Sequence, residues 1–413
     1  MHGPRVVILN PFDPLWAEEQ REGRYAYLAR HLAESGFDIT WITSDWSHRL
    51  NRPRDRDAIH AAAEARGAQI VFVETIPYET NEAMRRLHSH ARFAKDAVRV
   101  LEGLSPQVVI ASSPPPQVAD GAVRAAHRAG AAAIVDVQDL WPTEFRRFWP
   151  RGLKWLNPLV FWRMEAAFRR ACRDADARVA VAGAYLADAH RFGQTPRDLV
   201  VRLGVDLEAF DRAAEKGSNL LAAHPGDLGH VLFWGGTVSR DSDWPTVVDA
   251  VRLLNDEKPP VTLAVLGTGP GEAAMRHRCR QKGIERCVRF FGWQPHDAYA
   301  ATLRQSAVAL NTWVSGSTVA FPNRVFDYVA AGVPIVNSLT GEFADLVEAE
   351  RVGLNCAAGS TDGLAEAVRR LLADDDLRLR MGRNARRLAE HRLDRTQEYR
   401  RYIDLCKMLA AAT

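Results

Sequence analysis

Short β-branched and aliphatic runs recur along the chain, separated by stretches whose apolar positions fall every three to four residues. This alternation is the pattern of parallel βαβ units. Val6–Leu9 is predicted as the first strand. From Gly23 to Ser35, the residues Tyr25, Leu28, Ala29 and Leu32 share one face at helical spacing, and Gly36 supplies the stop. Ile39–Thr43, Ile70–Val73, Val108–Ala111, Ile134–Val137 and Val179–Ala182 are predicted to complete a first sheet. A second half restarts the pattern with Val231–Trp234, Val261–Leu266, Val288–Phe291, Val308–Leu310 and Ile335–Asn337. Between the halves, Arg202-Leu203-Gly204-Val205-Asp206 leads into a polar stretch of weak periodicity that ends at Gly229, the pattern of an interdomain connection. The end of the chain, rich in Leu, Arg and Ala, reads as helix throughout. The expectation is an α/β protein of two Rossmann-like domains facing a central cleft. The first domain is 1–205, the second 206–390, and 391–413 is a C-terminal helix able to return to the first. Parallel sheets bind ligands at the carboxyl ends of their strands, so candidate chemistry is sought there.

Composition narrows the class. A chain of 413 residues, 47% hydrophobic and 25% charged, is that of a globular protein too long for one core. The apolar runs are of strand length, too short to cross a bilayer. No basic-then-apolar leader precedes the first strand, so no secretory signal is expected. Five scattered cysteines without a CxxC argue against a disulfide framework or zinc site and for a reducing cytoplasm. The net charge of +3 is small against 54 basic and 51 acidic side chains, and no basic run or nucleic-acid module appears, so no nucleic-acid partner is expected. Arginine dominates the basic set, which suits phosphates or a membrane surface.

Four motifs occur in a specific order, the first two directly after predicted strands: Ser112-Ser113-Pro114-Pro115; Asp139-Leu140-Trp141-Pro142; Gly204-Val205-Asp206 with Phe210; and Pro322-Asn323-Arg324-Val325-Phe326-Asp327-Tyr328-Val329-Ala330-Ala331-Gly332-Val333-Pro334. Over nearly the full length this order resembles glycosyltransferase family 4, and most of all its bacterial capsule and O-antigen branch, which often transfers aminosugars. The resemblance implies the GT-B fold and retaining transfer of a sugar from a nucleoside-diphosphate sugar to a sugar, lipid-linked or small-molecule acceptor. The donor would lie on the second domain and the acceptor on the first, at the cytoplasmic side, with room for peripheral contact on the inner membrane face. Two departures stand out. Of the family's Glu-x7-Glu pair, the second position holds Asp327 and the first Val319, and the usual Gly-Gly near the first helix is replaced by Glu22-Gly23-Arg24.

A transferase that releases a nucleoside diphosphate must stabilise charge growing on the leaving phosphate, by a metal or by arginines with a helix N-terminus. Asp241-Ser242-Asp243 matches a metal-binding DxD, but Trp244-Pro245 opens a helix directly after it, so capping explains it better. No metal or other cofactor is expected. Arg240, in the loop after Gly236 and Thr237, and Arg324, at a helix start, are the expected phosphate clamp. Asp327 matches the family's ribose-binding position, beside Pro322 and Asn323. Gly267 begins a glycine turn that lacks the small residue a dinucleotide fingerprint needs where Glu272 stands. Gly292-Trp293 matches a base-binding position, with Trp293 either stacking on the base or packing inward, and Glu342 falls where relatives hold sugar hydroxyls. On the acceptor side, Asp139 is either a base for the acceptor hydroxyl or a cap. Ser113 and Trp141 join it, and Arg24 is read as an acceptor contact or a structural ion pair. The stretch Phe145-Arg146-Arg147-Phe148-Trp149 through Trp155, Phe161, Trp162 and Arg163 is either an amphipathic interface element or core aromatics with snorkelling arginines. Two rivals stay open: a non-hydrolysing sugar-nucleotide epimerase, which needs no acceptor, and a non-catalytic nucleotide-sugar-binding relative.

Overall fold

A computed structural model describes residues 3–19, 21–78, 84–148, 151–222, 229–256 and 260–413. The chain divides into two compact units, Met1–Arg202 with Glu398–Thr413, and Leu203–Gln397. Trp149 of the aromatic-basic stretch and residues 223–228 of the connection lie outside the described residues.

The first unit is built on a seven-stranded parallel sheet in the order Ala68–Val73, Asp38–Ser44, Arg5–Leu9, Val108–Ser113, Ala132–Val137, Ala177–Ala180, Leu199–Val200. Its central strands are apolar on both faces because helices cover both, the usual state of a parallel sheet. The order reverses between Arg5–Leu9 and Val108–Ser113. The second unit carries six parallel strands, Val288–Gly292, Val261–Leu266, His230–Gly235, Val308–Asn311, Ile335–Asn337 and Gly353–Asn355, and reverses between His230–Gly235 and Val308–Asn311. At such a switch point the connecting loops run to opposite sides, and a crevice opens beyond the strand ends.

Every predicted strand is present, most of them one or two residues longer. Those left unpredicted are Leu199–Val200, Gly353–Asn355 and a small antiparallel pair, Trp46–Ser47 with Arg52–Pro53. At two or three residues each, they are too short to show a period. The first helix spans Arg24–Glu34, and Gly36 follows at φ +90°.

The unit boundaries differ from the predicted 205/206 and 390/391. Residues 203–205 belong with the second unit because Val205 N–H donates to Leu393 O at 2.8 Å and Arg395 N–H donates to Val205 O at 3.0 Å. Gly204 sits at φ +66°, where a Cβ would stand 2.6 Å from the Arg395 Cα, so glycine is required for that approach. The helix Asp375–Arg392 carries the chain past 390, and the return to the first unit starts at Glu398 within the final helix Arg395–Ala410. Tyr399, Tyr402, Ile403, Leu405, Cys406 and Leu409 of that helix are buried in the first unit's core with Tyr25, Leu28 and Ile8.

Candidate functional site

In the second unit, the strand His230–Gly235 ends in Gly236 and Thr237 and its neighbour Val261–Leu266 ends in Gly267. The two loops pack backbone on backbone. Gly236 N–H donates to Leu266 O at 2.9 Å, and a Cβ on Gly267, at φ +141°, would stand 2.0 Å from Gly236 O. Gly267 N–H in turn donates to Gly292 O at 2.7 Å, so Gly236, Gly267 and Gly292 share one edge of the sheet.

Beside this edge the helix Arg324–Ala331 begins. Tyr328 pins it to the sheet, its hydroxyl accepting from Gly235 N–H at 3.0 Å and donating to Leu310 O at 3.4 Å. The Arg324 guanidinium lies between two indoles, 4.7 Å from the Trp234 ring and 4.9 Å from the Trp313 ring. One of its terminal nitrogens is 3.3 Å from where a Gly236 Cβ would be. Stacking fixes the planar cation and leaves its edge N–H groups for an anion. Trp313 is itself oriented by a buried amide chain. Its Nε1–H donates to Asn311 Oδ1 at 2.8 Å, Asn311 Nδ2 donates to Asn337 Oδ1 at 2.8 Å, and Asn337 Nδ2 to Asn355 Oδ1 at 2.8 Å.

The other donor-side candidates fall around this centre. Pro322 is buried and Asn323 exposed immediately before the helix. Asp327 is buried one turn along, 3.9 Å from His296 Nε2. Trp293 is 67% exposed, so the inward-packing alternative fails. Glu342 opens the helix Glu342–Glu350 after Gly341 at φ +76°. Thr237 and Arg240 are exposed on the loop after Gly236, which is closed by Ser242 Oγ donating to Thr237 O at 3.0 Å. Asp243 is consumed as a cap, accepting from Thr246 N–H at 3.4 Å and Gly359 N–H at 2.9 Å. Among the described residues no three His, Cys, Asp or Glu side chains group as metal ligands.

In the first unit, the strand Ala132–Val137 runs out into Gln138 and Asp139. The Asp139 side chain is half-buried, and its carboxylate accepts from Leu140 N–H at 2.8 Å. Burial raises its pKa from 3.8 to about 6, against the pull of that backbone hydrogen bond. Trp141 is buried at the middle of an aromatic cluster, with Phe145 at 4.5 Å, His90 at 5.6 Å and Phe12 at 6.3 Å between ring centroids, and the Arg86 guanidinium 4.9 Å over its ring. His48 Nδ1 pairs with the Tyr78 hydroxyl at 2.8 Å. Burial next to Arg86 lowers His48 to about 4 and His90 to about 2, so both are neutral near pH 7. Ser113 is fully buried, its backbone carbonyl accepting from Gln138 N–H at 2.8 Å. Ser113 and Trp141 therefore build the wall next to Asp139 rather than offer open surface. None of Phe12, His48, Tyr78, Arg86 or His90 was singled out by sequence reading, because no short motif joins them.

Arg24 is the structural ion pair of the two alternatives, and its place among the acceptor contacts is corrected. It is only 3% exposed, and its Nε and Nη2 donate to the buried Asp136 carboxylate at 2.8 and 3.0 Å. Its Nη1 donates to Val201 O at 2.9 Å, and the rings of Tyr399 and Tyr402 each lie 5.6 Å away. A solvated acceptor cannot reach a guanidinium enclosed in this way. The signal was available: Asp136 is the lone carboxylate in an apolar strand buried on both faces, and such a group demands a buried cation.

The doubly wound sheets with ligand-ready switch points define the class, a GT-B protein of two Rossmann-like domains. Residues 23–209 match "Glycosyltransferase Family 4", and residues 231–388 match "Glycosyl transferases group 1". Both models describe glycosyltransferases, and together they span most of the chain. Similar proteins include a glycogen synthase of Mycobacterium tuberculosis, 27% identical over 187 residues, and a putative colanic acid biosynthesis glycosyltransferase, WcaL, of Escherichia coli, 25% identical over 178 residues. These cover 45% and 42% of the chain, and the chain spans 42% of the length of each relative. Among solved structures, Anabaena Alr3699/HepE in complex with UDP superposes with a TM-score of 0.71 at 15% identity, covering 98% of this chain and all of that one (100%).

Proposed function

We propose that the protein is a retaining, metal-independent transferase that moves a hexosyl or N-acetylaminosugar from a nucleoside-diphosphate sugar to a glycan, lipid-linked or small-molecule acceptor at the cytoplasmic side. The observation that carries this reading is the Arg324 guanidinium held between Trp234 and Trp313 beside Gly236, at the switch point of the second sheet. Loss of the diphosphate places growing charge where a fixed cation strengthens its hold in the transition state. Arg240 on the Gly236 loop supplies a second cation, the Gly267 and Gly292 backbone admits the nucleotide, and Asp327 and Glu342 take ribose and sugar hydroxyls. The bond from the anomeric carbon to the phosphate oxygen breaks, and the acceptor oxygen bonds to that carbon on the same face. The acceptor binds the first unit, where Asp139 takes its hydroxyl proton.

The test combines binding with turnover. UDP is the first nucleotide to try, because HepE was solved with it, alongside GDP and ADP. One of the three, at 100 times its dissociation constant, is expected to stabilise the fold by about 2.7 kcal/mol. Transfer is expected to continue in EDTA. Loss of transfer on chelation, restored by manganese or magnesium, overturns the metal-free clamp.

Asp139 gives a separate pH signature. A base must be deprotonated, so turnover is expected to rise with pH through about 6, where this carboxyl ionises. In Asp139→Asn turnover falls by roughly 10²-fold or more and that acidic limb disappears, while nucleotide affinity is unchanged. An unaltered profile in the variant removes Asp139 from the proton path.

A further inference from the structure

Three strands of the second sheet, Val308–Asn311, Ile335–Asn337 and Gly353–Asn355, each end on an asparagine. Parallel pairing sets the three abreast, Asn311 against Asn337 and Asn337 against Asn355. Their side chains therefore stand on one face, at the strand spacing of about 4.8 Å. Asn311 and Asn337 are fully buried. Asn337 Oδ1 accepts from Asn311 Nδ2 at 2.8 Å and from Leu339 N–H at 3.1 Å, and its Nδ2 donates to Asn355 Oδ1 and Leu339 O, each at 2.8 Å. That occupies every hydrogen-bonding position of the amide. Apolar residues of the same shape would fill these places at little cost in stability, so what the amides add is a fixed geometry.

The row of amides has a direction. At one end the Trp313 indole N–H, which can only donate, meets Asn311 Oδ1. At the other, Asn355 Nδ2 donates to Ala344 O and Glu348 Oε1, each at 3.0 Å, and a carbonyl and a carboxylate can only accept. With both ends fixed, no amide between them can turn over without setting donor against donor. The ends are also two parts of the candidate site. Trp313 stacks on the Arg324 guanidinium, and its backbone N–H is tied to the same strand end by Ser338 Oγ at 2.8 Å. Ala344 and Glu348 belong to the helix Glu342–Glu350, which Glu342 opens.

We propose that Asn311, Asn337 and Asn355 are positioning residues for the transfer, one row of amides that holds the leaving-group cation and the helix of the sugar-binding carboxylate in a single register. This rests on the donor reading of Arg324 and Glu342, and adds that the diphosphate and sugar ends of the donor are gripped as one unit. The experiment uses the full chain with Asn355→Ala, which cuts the row at the half-buried edge strand and is expected to keep the wild-type thermal midpoint. Asn337→Asp is the second variant, keeping the side-chain shape and removing its two N–H donors. The first readout needs no ligand. The Trp313 indole N–H resonance, assigned by its disappearance in Trp313→Phe, is expected to shift in Asn355→Ala although two amides stand between. The second is turnover with the sugar nucleotide of whichever of UDP, GDP and ADP stabilises the fold. Each variant is expected to lower kcat roughly 10-fold or more with donor KM little changed, as a small misplacement of a preorganised group does. In an Arg324→Ala background Asn355→Ala is expected to have no further effect, whereas an asparagine that only supports the fold lowers turnover by the same factor in both backgrounds. Equal factors, or an unmoved indole resonance, overturn the positioning role and leave the clamp in place. Full turnover in Arg324→Ala is a failure of the donor reading itself, and the amide row then has no clamp to hold.

Discussion

Replacing Arg324 by alanine is expected to lower turnover by about 10²- to 10³-fold at saturating donor and acceptor, the usual loss when one donor to a developing oxyanion is removed. The physical reason is preorganisation. Trp234 and Trp313 hold the guanidinium plane from both sides, and the amide chain from Asn355 through Asn337 and Asn311 fixes the Trp313 indole. The cation is in place before charge develops and needs no reorganisation as the bond breaks. Arg324→Lys is expected to recover only part of the loss, because an ammonium has no plane to stack and no forked donors. The diphosphate should also lose more affinity than the monophosphate in Arg324→Ala, measured by calorimetry. Full turnover in Arg324→Ala would mean that another cation carries the leaving group.

The second large effect is on stability. Asp136→Ala is expected to cost roughly 3–5 kcal/mol in the unfolding transition of the first unit, because it leaves the Arg24 guanidinium buried without its counter-charge. Both side chains are sealed from solvent, and the pair is bidentate. The double variant Arg24→Met, Asp136→Leu is expected to recover much of that loss, since well-packed apolar residues replace buried ion pairs at little cost. Urea titration followed by circular dichroism reads the difference. A single variant as stable as the wild type would show that water reaches the pair. Hydrogen exchange at Tyr399–Leu409 should accelerate in Asp136→Ala, because Tyr399 and Tyr402 pack on the Arg24 guanidinium.

The strands and the glycine turns were legible in the sequence because each is specified locally: a run of β-branched residues, then a residue able to take positive φ. The helix start at Arg324 and the cap at Asp243 were legible for the same reason. What escaped was assembled across the fold. Trp313 is eleven residues from Arg324 and belongs to a different element, and its partner Trp234 reads as an ordinary strand residue. His48 and Tyr78 come from separate segments and Arg86 and His90 from one helix, Met84–Glu102, and only the fold gathers them near Trp141. Arg24 stayed open between an acceptor contact and an ion pair because helical periodicity names the buried face without naming what lies beneath it. Here that is Asp136. The aromatic-basic stretch split along its length: Phe145 and Phe161 pack inward, while Trp155 and Trp162 do not.

The final helix gives the order of synthesis a consequence for folding. The first unit's core includes Tyr399, Tyr402, Ile403, Leu405, Cys406 and Leu409, yet these emerge only after the whole of Leu203–Gln397 has been made. At ~5–20 residues per second, translating those roughly 200 residues takes on the order of 10–40 s. Through that interval the nascent first unit exposes the apolar seat of a helix that does not yet exist, and the Arg24–Asp136 pair lacks its aromatic cover. The first sheet has all its strands by Val200, but its core is complete only when the last residues of the chain are made, so a fragment cut near Arg202 is an unfinished protein rather than a domain.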